Sequence, residues 1–126
     1  MKKVLLVEDT VALAAEIADI LLMENYDVTT TSSPTEGLSI LNHLSPDLII
    51  TDLLMKEMDG FEFISELRKN DKFQKTPVII LSANATEDAL KKGIEIGANL
   101  FIKKPCDGLH LIQSIEMLLK GNSNTE

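Results

Sequence analysis

Acidic, hydroxyl and basic side chains follow four apolar runs of this 126-residue sequence, each at the point where a run ends. Glu8 and Asp9 follow the first run, Asp52 the second, Ser82 the third and Lys104 the last. Carboxylates that lie close together repel one another, and Mg²⁺ would relieve this repulsion while leaving one carboxylate free as a nucleophile. We assign that role to Asp52, because it ends a central strand. Lys104 and Ser82 would contact phosphoryl oxygens, so these residues predict phosphoryl transfer to an aspartate.

Five short segments have the residue types of β-strands. Four are apolar, which is typical of strands buried on both faces of a parallel sheet, and one is β-branched but polar on one side, which suits an edge strand. The apolar segments are residues 4–7, 48–50, 78–81 and 100–102, and the edge candidate is residues 28–31.

Segments with helical spacing separate these strands. Two of them start at recognisable caps: Ser33 to Glu36 forms a capping box with proline at the first helical position, and Asp107 caps the last helix. The apolar positions expected to face the core are Leu13, Ile17, Ile20 and Leu21; then Phe61, Ile64 and Leu67; then Leu90 and Ile94; and finally Leu109, Ile112, Ile115 and Leu119. Alternation of strand and helix predicts an α/β, doubly wound five-stranded parallel sheet with helices on both faces, and ligands bind such sheets beyond the carboxyl ends of the strands.

The composition predicts one domain over residues 1–120 and a flexible tail over residues 121–126. The net charge of −8 disfavours direct binding to nucleic acid or to an anionic membrane surface. Apolar runs are too short for a membrane helix or a signal peptide, and Cys106 has no second cysteine to pair with. We therefore expect a cytoplasmic protein.

An ordered set of short motifs closely resembles the response-regulator receiver domain from about residue 2 to residue 119. The motifs are Val7-Glu8-Asp9, Ile50-Thr51-Asp52-Leu53-Leu54-Met55, Met58-Asp59-Gly60, Leu81-Ser82-Ala83, Gly97-Ala98 and Lys104-Pro105. Each motif alone is weak, and the complete ordered set is strong. The resemblance implies a flavodoxin-like strand order, 2-1-3-4-5.

The resemblance also implies a role for each site residue. Asp52 would be the phosphoacceptor, and Mg²⁺ would be bound by Glu8, Asp9, Asp52 and the backbone carbonyl of Leu54. The other roles are a switch hydroxyl at Ser82, a phosphate-contacting lysine at Lys104, an aromatic at Phe101 that rotates inward, and a supporting proline, often in a cis peptide, at Pro105.

The partners implied are a histidine kinase or phosphotransfer protein as donor and a downstream protein. The downstream partner would bind the face formed by the fourth helix, fifth strand and fifth helix. Lys56 differs from the commonest pattern of the family, which has a proline at this position. Leu54 and Asn84 occupy positions that influence water access to the aspartyl phosphate in the family, so the lifetime of that phosphate is left open.

Simpler explanations exist for most of these residues. Glu8 and Asp9 suit a helix N-terminus, Ser82 could merely begin a loop, and Phe101 on alternation alone is a core residue. Cys106 is interpreted as a small packed hydrophobe, without redox chemistry.

Two other functions compete with the phosphoacceptor hypothesis. Small aspartyl-phosphate hydrolases of the haloacid-dehalogenase kind carry a second aspartate two residues after the first, where this chain has Leu54. A receiver-shaped interaction module without phosphorylation would not respond to Mg²⁺. We therefore expect a signalling domain that assists only its own phosphorylation and dephosphorylation.

Overall fold

A five-stranded parallel sheet with strand order β2-β1-β3-β4-β5 forms the centre of the computed structural model, which describes residues 1–123. The strands are β1 (Lys3–Val7), β2 (Asp27–Thr31), β3 (Leu48–Thr51), β4 (Val78–Ser82) and β5 (Leu100–Lys103). This arrangement confirms the predicted fold class and strand order, including the edge position of β2.

The helices cover both faces of the sheet. They are α1 (Val11–Met23), α2 (Pro34–Ile40), α3 (Gly60–Lys69), α4 (Glu87–Ile96) and α5 (Gly108–Ser123), with a 3₁₀ turn at Asp71–Phe73. One core cluster joins residues of α1 and α5 to one face, and a second joins residues of α3 and α4 to the other. The side chains of β3 and β4 are buried throughout, as expected for strands covered on both faces.

The strand β5 is less buried than the sequence suggested. We expected its apolar residues to be covered on both faces, but Leu100 and Phe101 are only partly buried. The strand order explains this difference, because β5 pairs with β4 and forms the second edge of the sheet.

Small residues, and not the large apolar ones, face the sheet from α4. Leu90 and Ile94 are 37% and 51% exposed, so their predicted core positions are wrong, and Ala89 and Gly93 are buried instead. A Cβ atom at Gly93 would lie 2.7 Å from Ile80 Cδ1, so this helix packs too closely on the sheet for a large side chain to fit between them.

The start of α5 also differs from the prediction. Leu109 is 68% exposed and Leu111 takes the buried position, while the predicted cap is confirmed by a 2.7 Å hydrogen bond from the His110 N–H to Asp107 Oδ1. Since α5 continues to Ser123, three residues assigned to a flexible tail are helical. Residues 124–126 lie outside the described residues. Within residues 1–123, no helix is long and apolar enough to cross a membrane.

The capping box of α2 is only half formed. Ser33 Oγ accepts the Glu36 N–H at 3.1 Å, as predicted. The Ser33 N–H, however, donates to Thr31 Oγ1 at 3.2 Å, and the Thr31 hydroxyl donates to Glu36 Oε1. The expected return contact from Glu36 to the Ser33 amide is therefore wrong, because Thr31 lies between the two groups.

Candidate functional site

Four strands bring the predicted site residues to one edge of the sheet. Val7 aligns with Thr51 across β1 and β3, and Ser82 aligns with Lys103 across β4 and β5. The residues at or just after these positions therefore meet at the carboxyl ends, where a doubly wound sheet binds ligands. Glu8, Asp52 and Ser82 are all buried there, at 2%, 8% and 0% exposure.

The ammonium of Lys104 bridges two of the carboxylates. Its Nζ lies 2.7 Å from Glu8 Oε1 and 2.6 Å from Asp52 Oδ2, and it donates a hydrogen bond to each. Burial lowers the pKa of Lys104, but the hydrogen bonds and charges of Asp52 and Glu8 outweigh it and raise the pKa above its ordinary value. The peptide between Lys104 and Pro105 is cis, and Lys103 is exposed, as strand alternation predicted.

Asp52 is held at both carboxylate oxygens. Oδ2 faces Lys104, and Oδ1 accepts the Leu53 N–H at 2.6 Å and the Leu54 N–H at 3.4 Å. Burial raises the pKa of Asp52, but hydrogen bonds from Lys104 and Ser82, the charge of Lys104 and the Leu53 N–H together lower it below its ordinary value. Asp52 is thus ionised at neutral pH, as a nucleophile must be.

The two acidic residues after β1 lie in different surroundings. Glu8 Oε1 faces Lys104, and its Oε2 accepts the Thr10 N–H at 3.0 Å, a local contact of the kind expected of a helix N-terminus. Asp9 is half-buried and lines an open polar cleft.

The chemistry of this donor set suits a divalent cation, although the side chains are not gathered as ligands. Within residues 1–123, no three His, Cys, Asp or Glu side chains are close enough together to hold a metal ion. Lys104 contacts two of the three carboxylates, so Glu8, Asp9, Asp52 and Lys104 carry a formal charge of −2 in total. Excess negative charge on oxygen ligands is what Mg²⁺ neutralises.

The contacts of Ser82 and Phe101 are compatible with more than one role. The Ser82 hydroxyl accepts the Asn84 N–H at 3.2 Å and contributes to the lowered pKa of Asp52. Phe101 is partly buried and packs on the core cluster that includes Ile80 and Ala89. A switch through these two residues stays a prediction.

A family model described as the response regulator receiver domain matches residues 4–116. The chain belongs to this family. Its fold, its sequence relatives and its structural neighbours agree that it is a receiver domain of two-component systems, which confirms the prediction made from the motifs.

Relatives of this receiver domain occur in proteins of several kinds. It is 33% identical over 119 residues to the probable transcriptional regulator ycf29 of Porphyra purpurea, and the match covers 94% of this chain and 57% of that protein. It is 33% identical over 121 residues to chemotaxis protein CheY of Treponema pallidum, covering 94% and 83%. The signal receiver domain of a signal transduction histidine kinase from Syntrophus aciditrophicus superposes with a TM-score of 0.91 at 32% identity, covering 100% of this chain and 96% of that one. The chain spans only about half of the length of the transcriptional regulators that it matches.

Gly60 has a structural role in the receiver domain that the sequence motif did not explain. A Cβ atom here would lie 2.3 Å from the Asp52 carbonyl oxygen and 2.9 Å from Leu53 Cα, both of them backbone atoms. The N-terminus of α3 can therefore approach the residue after β3 only if position 60 has no side chain.

Gly60→Ala is expected to lower the free energy of unfolding by at least about 2 kcal/mol, because the backbone must shift to admit the methyl group. Gly37→Ala is the matched control, since its Cβ would meet the Phe63 ring at an ordinary 3.4 Å. We expect that variant to stay within about 1 kcal/mol of the wild type, helped by the better helix propensity of alanine. Urea unfolding measures both, and equal stability of the two variants would contradict the proposed close approach.

The lowered pKa of Asp52 predicts a pH dependence with a definite sign. A depressed carboxyl pKa contributes stability above its ordinary value near 3.8, and this contribution is lost as the pH falls through the folded-state pKa. The stability of the wild type relative to Asp52→Asn should be constant between about pH 5 and about pH 9 and decrease toward about pH 2. Urea unfolding midpoints at several pH values test this, and a relative gain for the wild type in acid would contradict it.

Proposed function

We propose that this receiver domain accepts a phosphoryl group on Asp52 from the phosphohistidine of a histidine kinase or phosphotransfer protein. The P–N bond of the donor breaks and a P–O bond to Asp52 forms, and the donor imidazole leaves as a neutral group because its ring takes a proton from water. The observation that carries the proposal is the bridging position of Lys104 Nζ, 2.6 Å from Asp52 Oδ2 and 2.7 Å from Glu8 Oε1.

The same contacts support the roles of the neighbouring side chains. Lys104 already donates a hydrogen bond to Asp52, so its ammonium is close enough to donate to an oxygen of a phosphoryl group on Asp52. The buried hydroxyl of Ser82 is a second donor. Because the lowered pKa keeps Asp52 ionised, no general base is needed to activate it.

We assign the divalent cation to Glu8, Asp9, Asp52 and the backbone carbonyl of Leu54. Receiver domains generally use Mg²⁺ for phosphorylation, and the formal charge of −2 at this site supports the same ion here. When bound, Mg²⁺ would neutralise charge on the phosphoryl oxygens. Its arrival would compete with Lys104 for the carboxylates of Glu8 and Asp52.

We infer that the domain acts by signalling and not by turnover of an external substrate. Leu54 is an exposed aliphatic side chain at the position where an aspartyl-phosphate hydrolase needs an acid.

The donor is a kinase or phosphotransfer protein, and the downstream partner is a protein that recognises α4, β5 and α5. Exposed apolar side chains at Leu90, Ile94 and Met117 on these helices support that face as a binding surface. The cytoplasmic location and the absence of nucleic-acid binding stay predictions.

Acetyl phosphate with Mg²⁺ tests the proposal directly. Intact-protein mass spectrometry should detect the addition of one phosphoryl group. The addition should require Mg²⁺ and should not occur when a chelator is present from the start. No addition would favour an interaction module without phosphorylation, and sustained hydrolysis of a phosphate monoester would favour the hydrolase.

A further inference from the structure

A polar cleft of about 380 Å³ opens beside Asp9, between the N-terminus of α2 and the loop that follows β3. Ser33 on the helix side and Glu57 on the loop side both line it. The Ser33 hydroxyl donates a hydrogen bond to Glu57 Oε1, which joins two segments that are 24 positions apart in sequence. This contact, which we call the α2 clasp, therefore borders the same cleft as a carboxylate of the site.

Ser33 is held firmly on the helix side of the clasp. Its Oγ accepts the Glu36 N–H at 3.1 Å and its own N–H donates to the buried Thr31 Oγ1 at 3.2 Å. A hydroxyl has a single proton to donate, and here that proton is directed to Glu57. The clasp thus attaches the loop to a fixed point at the end of β2.

The loop itself makes few other hydrogen bonds at its outer part. Its beginning is fixed by the Leu53 N–H on Asp52 Oδ1, and its end by the Gly60 N–H on the Leu53 carbonyl at 2.9 Å. Between these points, Met55 and Met58 pack on the core, and residues 55–58 make one hydrogen bond to the remainder of the described chain, which is the α2 clasp. For the exposed residues between these methionines, Lys56 and Glu57, the clasp is the one hydrogen bond that restrains the loop.

We propose that Ser33 and Glu57 are positioning residues that hold the loop after Asp52 and thereby set the affinity of the site for Mg²⁺. The inference rests on the proposed function, since it takes the Leu54 carbonyl on this loop as a cation ligand. A loop that is already ordered loses less conformational entropy when the cation binds, so the clasp favours binding without touching the ion.

Two substitutions separate the clasp from the charge of Glu57. Ser33→Gly removes the hydroxyl, keeps every charge and costs the helix cap only a few tenths of a kcal/mol. Glu57→Gln removes the charge but keeps an oxygen that can accept the Ser33 hydrogen bond. Ser33→Thr retains both the hydroxyl and the cap, and it serves as the rescue variant.

The measurements are amide hydrogen exchange of Leu53 and Leu54, whose N–H groups are bonded to Asp52 Oδ1 in the metal-free protein, and titration with MgCl₂ alone, both followed by NMR. Ser33→Gly should speed exchange and weaken Mg²⁺ binding, each by about threefold to tenfold, the range of one hydrogen bond. Ser33→Thr should restore both quantities, and adding Glu57→Ala to Ser33→Gly should weaken binding by less than the product of the single effects. At saturating Mg²⁺ the rate of labelling by acetyl phosphate should return to the wild-type value.

The possible failures are distinguishable. If Ser33→Gly leaves exchange or Mg²⁺ affinity unchanged while the wild type is still labelled by acetyl phosphate, the clasp proposal is overturned and the phosphoacceptor function stands. The same holds if only the charge change in Glu57→Gln alters affinity. If the wild type neither binds Mg²⁺ nor takes up a phosphoryl group, both proposals are overturned.

Discussion

Asp52→Asn is expected to take up no phosphoryl group from acetyl phosphate and Mg²⁺, under conditions in which the wild type is labelled. The amide has nearly the shape of the carboxylate and can still accept the Leu53 N–H that lies 2.6 Å from Asp52 Oδ1. It lacks the anionic oxygen that attacks phosphorus, so the reaction loses its nucleophile while the fold is retained. Intact-protein mass spectrometry over a time course measures the effect.

Asp19→Asn is the matched control for this substitution. Asp19 is exposed on α1, outside the site, and the variant should be labelled at the wild-type rate. Labelling of Asp52→Asn to the wild-type extent would place the acceptor elsewhere, and Asp9, the remaining half-buried carboxylate of the site, would be the next candidate.

Arg68→Ala is expected to lower the free energy of unfolding by about 2 to 4 kcal/mol, because several carbonyl groups lose a charged donor at once. The guanidinium donates twice to the Gly97 carbonyl, at 2.7 and 3.2 Å. It also donates to the carbonyls of Phe73 and Thr76, at 2.7 and 2.8 Å, and to Asn99 Oδ1 at 3.1 Å. A single side chain thus links the end of α3 to the 3₁₀ turn, the end of α4 and the start of β5. Chemical unfolding in urea measures the loss.

Two further variants test whether the shape of the guanidinium matters. Arg68→Lys keeps the charge but cannot reach acceptors in so many directions, and we expect it to recover less than half of the lost stability. Lys69→Ala is the neighbouring control, since Lys69 is exposed and makes a 3.1 Å pair with Glu66 across one helical turn. Such a pair contributes about 0.5 kcal/mol or less. An Arg68→Ala variant as stable as Lys69→Ala would contradict the proposed role.

The convergence of these residues was largely predictable, and the reason is geometric. Glu8, Asp52, Ser82 and Lys104 each follow or end a strand, and parallel strands bring their carboxyl ends to a common edge. Periodicity and composition identified those strands to within one residue at either end. The position of Lys104 Nζ between two carboxylates was not predictable, because it depends on the side-chain conformation and on the distance between β1, β3 and β5.

The error on α4 arose because helical spacing gives the period of a helix face but not its closeness to the sheet. On α4 the spacing of Leu90 and Ile94 is as regular as that of Ala89 and Gly93, yet the small pair faces the core. The Thr31 hydroxyl similarly replaced the expected partner of the Ser33 amide, since the end of β2 packs against the start of α2. The packing of α4 is not encoded within a few neighbouring residues, since it depends on Ile80 of the sheet.

The amino-acid sequence by itself determined the order of strands and helices, the family and the identity of the acidic, hydroxyl and basic groups at the strand ends. Those features follow from local propensity, periodicity and the shared direction of parallel strands. Only the tertiary structure decided which carboxylates Lys104 contacts, which carbonyls Arg68 holds and how Ser33 meets Glu57. These contacts join residues far apart in the chain, and their distances are set by how closely the helices pack on the sheet.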